Sequence, residues 1–267
     1  MYAYVINLDR SPDRRKHMIA ELEKAGLDYE FVSACDGRDL DPNDPAVITP
    51  ELLAKSPFPA NHGATALSHL RCYERMIAHG RDVTLVLEDD ILLPADVNAL
   101  TDAVAAHLMG SQVALLSFTY PEPMKMAREG ALRLPHGRTL VLPIDPWQLA
   151  SGSAYVITRE ACERMIKSLV PVRACPDEWG YFYHEGLLDG VRCVVPATIS
   201  DASQFHSMQG SYTLGNGLKG RLLWPLVKLQ LPLVQQILVN RRRRIGGLHR
   251  RHEMVDMPFK EKPFRLG

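Results

Sequence analysis

The sequence predicts an α/β fold whose central, mostly parallel sheet is flanked by helices. Three observations carry that prediction. The chain opens as strand, helix, strand: the apolar run Tyr2 to Leu8, a helical stretch closed by Gly26, and a second apolar run from Tyr29 to Ala34. Val83, Leu85, Val86 and Leu87 form a further run without alternation, as expected of a strand buried on both faces. With 267 residues of which 46% are hydrophobic, the chain can bury a sizeable core and is not a largely disordered one.

Each element has a local reason. Ser11 is a suitable N-cap, Pro12 fits the first helical position, and Met18, Ile19, Leu22 and Ala25 share one face before Gly26 stops the helix. Asp36-Gly37 reads as a turn. Asp41 to Asn61, rich in Pro, Asp and Asn, reads as a loop with a short helical turn over Pro50 to Ala54. Ala64 to Met76 is predicted helical, with Ser68 and His69 near its start. Val113 to Phe118 is another buried strand, Met124 to Pro146 a hairpin, and Ala154 to Ile157 a strand that follows the turn Ser151-Gly152-Ser153. Arg159 to Leu169 is a helix, Pro171 to His184 a loop, and Val191 to Pro196 the last clear strand.

The stretch that demands explanation is Glu88-Asp89-Asp90, three carboxylates at the end of an apolar strand. Open α/β sheets place ligands at that end. Buried unpaired, the three would be costly, and a divalent cation with oxygen ligands compensates them economically; the alternative is a solvated acidic turn. Alternation along a strand sends Glu88 and Asp90 to one side and Asp89 to the other. The end of the first strand supplies Asn7, Asp9, Arg10, Arg14 and Arg15 beside a helix N-terminus, a setting suited to a diphosphate or, alternatively, a solvated basic face.

Composition bounds the rest. Five cysteines, Cys35, Cys72, Cys162, Cys175 and Cys193, are scattered without a CxxC pair, which argues against a zinc ribbon or disulfide scaffold and for a reducing compartment. No secretory signal pattern opens the sequence. Net charge is zero but unevenly spread: no acidic residue lies between Asp201 and Glu253, where Lys219, Arg221, Lys228, Arg241 to Arg244, Arg250 and Arg251 are all basic. Leu218 to Asn240 is apolar but interrupted by Pro225 and Pro232, so it is not a clean membrane span. We expect a domain over 1–210 and a basic, amphipathic, helical extension over 211–267. That extension suits an anionic membrane surface or, alternatively, remains a solvated tail. Nucleic acid, whose phosphates arginine blocks also bind, ranks last because no aromatic-interleaved binding motif is present, and no nucleic-acid partner is expected.

Taken together, Ile6-Asn7-Leu8-Asp9-Arg10-Ser11-Pro12-Asp13-Arg14-Arg15, Ala34-Cys35-Asp36-Gly37, Ala66-Leu67-Ser68-His69 and Leu85-Val86-Leu87-Glu88-Asp89-Asp90 resemble, in order and spacing, glycosyltransferase family 25, the lipooligosaccharide galactosyltransferase-like proteins that also include collagen galactosyltransferases. Ala64-Thr65 stands where members often carry Gly-Cys. The resemblance covers roughly residues 2 to 200. It implies a GT-A-like fold, a nucleotide-sugar donor, a divalent metal (Mn²⁺ or Mg²⁺) at the triplet, and an inverting transfer, commonly of galactose from UDP-galactose, onto a lipid-linked or other cell-surface glycan. With that chemistry, Asp90 is the expected metal ligand, with Glu88 and a late-chain His206. The donor would meet Asn7, Asp9, Arg10, Arg15, Asp36, Ser68, His69, Glu88, Asp89, Ser151 and Gly152. Asp177, counterpart of an Asp that follows this helix in the family, is the first choice for the base that deprotonates the acceptor, and Glu178 the second. Trp147 and Trp179 are either acceptor-stacking or buried. The enzyme would work in the cytoplasm, peripheral on the inner face of the cytoplasmic membrane. The competing reading is a non-catalytic nucleotide- or glycan-binding protein on the same fold.

Overall fold

The computed structural model describes residues 1–118, 124–202 and 254–256. In chain order the elements are β1 (Tyr2–Asn7), α1 (Pro12–Ala25), β2 (Asp28–Ser33), α2 (Pro50–Lys55), α3 (Pro59–Ala78), β3 (Val83–Glu88), β4 (Ile91–Leu92), α4 (Val97–Ala105), β5 (Gln112–Leu115), β6 (Lys125–Arg133), β7 (Thr139–Pro143), β8 (Ala154–Thr158), α5 (Arg159–Ser168), α6 (Trp179–His184), β9 (Gly190–Val195), β10 (Ser200–Asp201) and β11 (Met254–Asp256).

Nine strands form one sheet in the order β11-β6-β7-β9-β5-β8-β3-β1-β2. Following the pairings, β1, β2, β3, β5, β6 and β9 run one way and β8, β7 and β11 the other. Six of the nine strands thus share one direction; β8, near the centre, and β7 and β11, towards one side, run against them, so five of the eight neighbouring pairs are antiparallel.

Helices cover both faces, which explains the continuous apolar runs. Alternate residues of each strand enter opposite layers. Tyr4, Ile6, Val86 and Tyr155 pack with Leu70, Tyr73 and Met76 of α3 and Cys162 and Met165 of α5. Ala3, Val5, Leu85 and Leu87 pack with Met18 and Leu22 of α1 and Val97, Leu100 and Val104 of α4.

Local expectations hold in most places. Pro12 opens α1, and Gly26 ends it in the left-handed region at φ 61°, its N–H donating to carbonyls of the last turn. The Ser11 hydroxyl makes no capping hydrogen bond, however. Two segments differ from expectation. Helix α3 begins at Pro59, five residues earlier than the apolar pattern implied, because Pro59 is itself a favourable first helical residue. The segment expected as a loop between Pro171 and His184 contains α6, which drives Trp179 and Phe182 into the core, both essentially fully buried. Of the 211–267 extension, the described residues are Met254–Asp256, which pair antiparallel with β6. His206, Trp224 and the arginine block lie outside the described residues. No helix among the described residues is long and apolar enough to cross a membrane.

Candidate active site

Strand direction gathers the candidate residues at one sheet edge. Strands β2, β1 and β3 are parallel neighbours, so Ser33, Asn7 and Glu88 end together. Because β8 is antiparallel to β3, it starts where β3 ends, and the Glu88 N–H donates to the Ser153 carbonyl at 2.8 Å. After β9 the chain returns to this edge. Asp201 pairs with Ile91, and the Ala202 N–H donates to the Asp90 carbonyl at 2.7 Å.

The acidic triplet is organised around an arginine. Asp89 is buried and accepts from the Asn7 side-chain amide at 2.7 Å and from an Arg14 guanidinium nitrogen at 2.9 Å. The same nitrogen lies 3.2 Å from Asp90. The alternation expected to separate Asp89 from Asp90 therefore fails. Strand β3 ends at Glu88 and the chain bends at the next two residues, so both carboxylates reach one cation. Burial, with the charge of Glu88 next, pushes the Asp90 carboxyl up to about 6; Arg14 opposes the rise, and Asp89 and Asp201 add to it. Burial and Glu88 likewise raise Asp201. Four carboxylates thus share one short stretch of the sheet edge. Among the described residues, no three His, Cys, Asp or Glu side chains are already drawn together as a metal-ligand set.

His69 links this cluster to the next. It is buried in α3, its Nδ1 2.6 Å from the Tyr155 hydroxyl, which in turn meets the Tyr73 hydroxyl at 2.7 Å. Its Nε2 points towards Glu88, 3.5 Å from Oε1, and has no hydrogen-bond partner among the described residues. Gly152 sits against the imidazole: an added Cβ there would lie 3.3 Å from His69 Cε1 and 3.9 Å from Asp177 Cβ.

The turn before β8 is held under strain. Ser151 has φ 92°, a region L-residues rarely occupy, at a cost of roughly 1–3 kcal/mol. Its N–H donates to Asp177 Oδ2 at 3.0 Å, and its carbonyl accepts from the Trp179 indole N–H at 3.0 Å. Asp177 is thereby aimed from a loop by a backbone amide, while Glu178 beside it is exposed.

The donor-side candidates divide into groups. Asn7, Glu88, Asp89, Asp90, His69, Ser151, Gly152 and Asp177 form one connected neighbourhood. Asp9, Arg10 and Asp36 form a second at the ends of β1 and β2, where Asp9 accepts from Ser33 Oγ at 2.7 Å and Arg10 pairs with Asp36 at 2.6 Å. Arg38 and Arg10 together hold the Asp36 carboxyl well below the usual carboxylate range. Two candidates are engaged elsewhere. Arg15 lies over the Phe31 ring, 4.1 Å from its centroid, because it is one helical step from Arg14 and so faces away from Asp89 and Asp90. The Ser68 hydroxyl donates to the Ala64 carbonyl and accepts from the Cys35 N–H, tying α3 to the end of β2. Sequence reasoning placed Arg14 in the basic cluster at the start of α1 but carried Arg10 and Arg15 forward as the donor contacts, and it did not select Asp201. Only the helical phase of α1 could have favoured Arg14 over Arg15, and no local signal marks Asp201.

The two tryptophans part ways. Trp179 is buried, whereas Trp147 is 45% exposed and packs on α6 at Gly180. A Cβ at Gly180 would come within 2.6 Å of Trp147 Cδ2 and 2.7 Å of its Cα. Since the latter is backbone and cannot swing away, Gly180→Ala is expected to cost about 2–3 kcal/mol of stability, measurable as a lower urea midpoint.

Comparison with known proteins gives this arrangement a class. Residues 1–179 match the family model described as glycosyltransferase family 25 (LPS biosynthesis protein). The chain belongs to glycosyltransferase family 25. It is 37% identical over 97 residues to a glycosyltransferase 25 family member of Aedes aegypti, a match covering 34% of this chain and 16% of that protein. To procollagen galactosyltransferase 2 of Homo sapiens it is 30% identical over 95 residues, covering 33% and 15%. The matches thus span about one-sixth of the length of these curated relatives. Among solved structures, a mannose-1-phosphate geranyltransferase from Thermus thermophilus overlaps with a TM-score of 0.32 at 12% identity, covering 72% of this chain and 58% of the other.

Proposed function

We propose that this protein is a metal-dependent, inverting glycosyltransferase of GT-A type that moves a sugar from a nucleotide-sugar donor, UDP-galactose being the first to test, onto a lipooligosaccharide or other cell-surface glycan. The observation that carries this reading is the accumulation of Glu88, Asp89, Asp90 and Asp201 at one sheet edge against one close cation among the described residues, Arg14, with Asp90 pushed up to about 6 by burial and like charge. Such a donor set suits a hard divalent cation with oxygen ligands. Asp90 and Glu88, with Asp201, are the residues that would hold Mn²⁺ or Mg²⁺; Asp89 is already committed to Asn7 and Arg14. When bound, the metal neutralises charge developing on the leaving diphosphate.

The chain's own groups do the rest. Asn7 and Arg14 meet the donor at the end of β1, and Arg14 is a second cation for phosphate oxygens. His69 and Gly152 wall the space between donor and acceptor, glycine allowing the sugar close to the backbone. Asp177, aimed by the Ser151 amide, takes the proton of the acceptor hydroxyl. In this reading residues 1–210 are the catalytic domain, and 211–267 dock it on an anionic membrane from the cytoplasmic side.

The experiment is release of UDP, GDP or CMP from a panel of their sugars, with Mn²⁺, Mg²⁺ or EDTA present. Metal-stimulated release of UDP supports the proposal, and no release from any donor under any condition sinks it. Arg14 bridging Asp89 and Asp90 favours one other reading, a non-catalytic nucleotide- or glycan-binding member whose carboxylates are neutralised internally. It predicts calorimetric binding of UDP without turnover.

A further inference from the structure

Trp147 is an exposed aromatic ring built into a rigid setting. It follows Pro146, whose ring limits the backbone, and its N–H is held by the buried Asp145 carboxylate at 3.0 Å. On α6, Gly180 lies under the indole and His184, one turn later, stacks on it with ring centroids 5.1 Å apart and planes 28° apart. Positions i and i+4 share one helix face, so both residues pack Trp147 against α6. Trp147 nonetheless keeps 45% of its surface exposed.

The position matters as much as the exposure. The large exposed hydrophobic residues among those described are Phe58, Leu92, Met109, Trp147 and Val170. The two aromatic ones flank the loop that carries Asp177. Trp147 rests on the helix that begins two residues after Asp177. Phe58 stands edge-on to His62, whose Nδ1 lies 3.2 Å from the sulfur of Cys175, two residues before Asp177. A flat, pre-positioned and partly exposed indole suits the C–H-rich face of a pyranose and leaves the sugar's hydroxyl edges for polar groups.

We propose that Trp147 is the platform on which a neutral hexopyranose ring of the acceptor lies, placing that sugar at the rim beside Asp177. The assignment rests on the transferase reading above. The test is saturation-transfer and indole ¹⁵N–¹H NMR on the full chain, with methyl β-D-galactopyranoside and methyl β-D-glucopyranoside as probes, in the parent and in Trp147→Ala, Trp147→Leu and Trp147→Phe. At least one sugar should shift the Trp147 indole resonance of the parent. Trp147→Phe should keep most of the saturation transfer. Trp147→Ala and Trp147→Leu should each lose it at least tenfold, the leucine variant keeping bulk on α6 without the ring. Equal saturation transfer in parent and leucine variant, or an unmoved Trp147 resonance with both sugars, would overturn the platform. So would loss of binding to phosphatidylglycerol vesicles as the sole effect of Trp147→Leu, because the ring would then be a membrane contact. A parent that binds these sugars at Trp147 yet neither binds UDP nor turns over any donor keeps the platform and discards the transferase reading.

Discussion

Replacing Asp90 with Asn is expected to reduce metal-stimulated UDP release about a thousandfold while making the folded protein more stable above pH 7. The two effects have one origin. The Asp90 carboxyl is pushed up to about 6 by burial and by Glu88, Asp89 and Asp201, so the folded protein resists its ionisation. Between the ordinary carboxylate value near 3.8 and about 6, the folded state binds more protons than the unfolded state, so stability falls as pH rises through that window. Above it, the charge costs up to about 3 kcal/mol, which a neutral amide does not incur. Urea denaturation at pH 8 should therefore show the Asn variant more stable than the parent, with the difference fading by pH 4. Losing an anionic ligand should at the same time remove about 4 kcal/mol of transition-state stabilisation, hence the thousandfold loss. An Asn variant that is less stable at pH 8 would show that Arg14 already compensates Asp90 fully. One that keeps parental activity would remove the metal from this edge.

Asp177→Asn should lower transfer to an acceptor by a factor of about 10²–10⁴, the range for a general base, with little change in melting temperature or UDP affinity. The stability forecast follows from the hydrogen bond. The Ser151 N–H donates to Asp177 Oδ2, and an asparagine carbonyl accepts from the same amide. Asp177→Ala removes that acceptor and frees one of the contacts that hold Ser151 at φ 92°, so it should lose stability as well. Comparing the two variants separates proton removal from loop positioning. Parental transfer rates in Asp177→Asn would shift the search for the base to Glu178.

Much of the fold was legible because its signals are local. Strand β1, the Pro12 start and Gly26 stop of α1, the buried run of β3 and the β6–β7 hairpin each follow from residue type and spacing within a dozen residues. Helix α6 was missed because Trp-Gly-Tyr-Phe-Tyr-His carries little helix propensity; burial of Trp179 and Phe182 outweighs it. The site was half legible. Asn7, Glu88, Asp89, Asp90, His69, Gly152 and Asp177 come together as a neighbourhood, while Arg15 and Ser68 satisfy themselves on Phe31 and on backbone groups.

From sequence alone follow the alternation of strands and helices, the acidic end of β3 and the membership that its motifs imply, since each depends on neighbours along the chain. Tertiary structure decided that Arg14 and not Arg15 meets the carboxylates, that Asp201 joins them, and that Trp179 is buried while Trp147 stays at the surface. Those outcomes depend on helix phase and on strands that pair across long separations, and a one-residue change in either would reassign every side chain at the sheet edge.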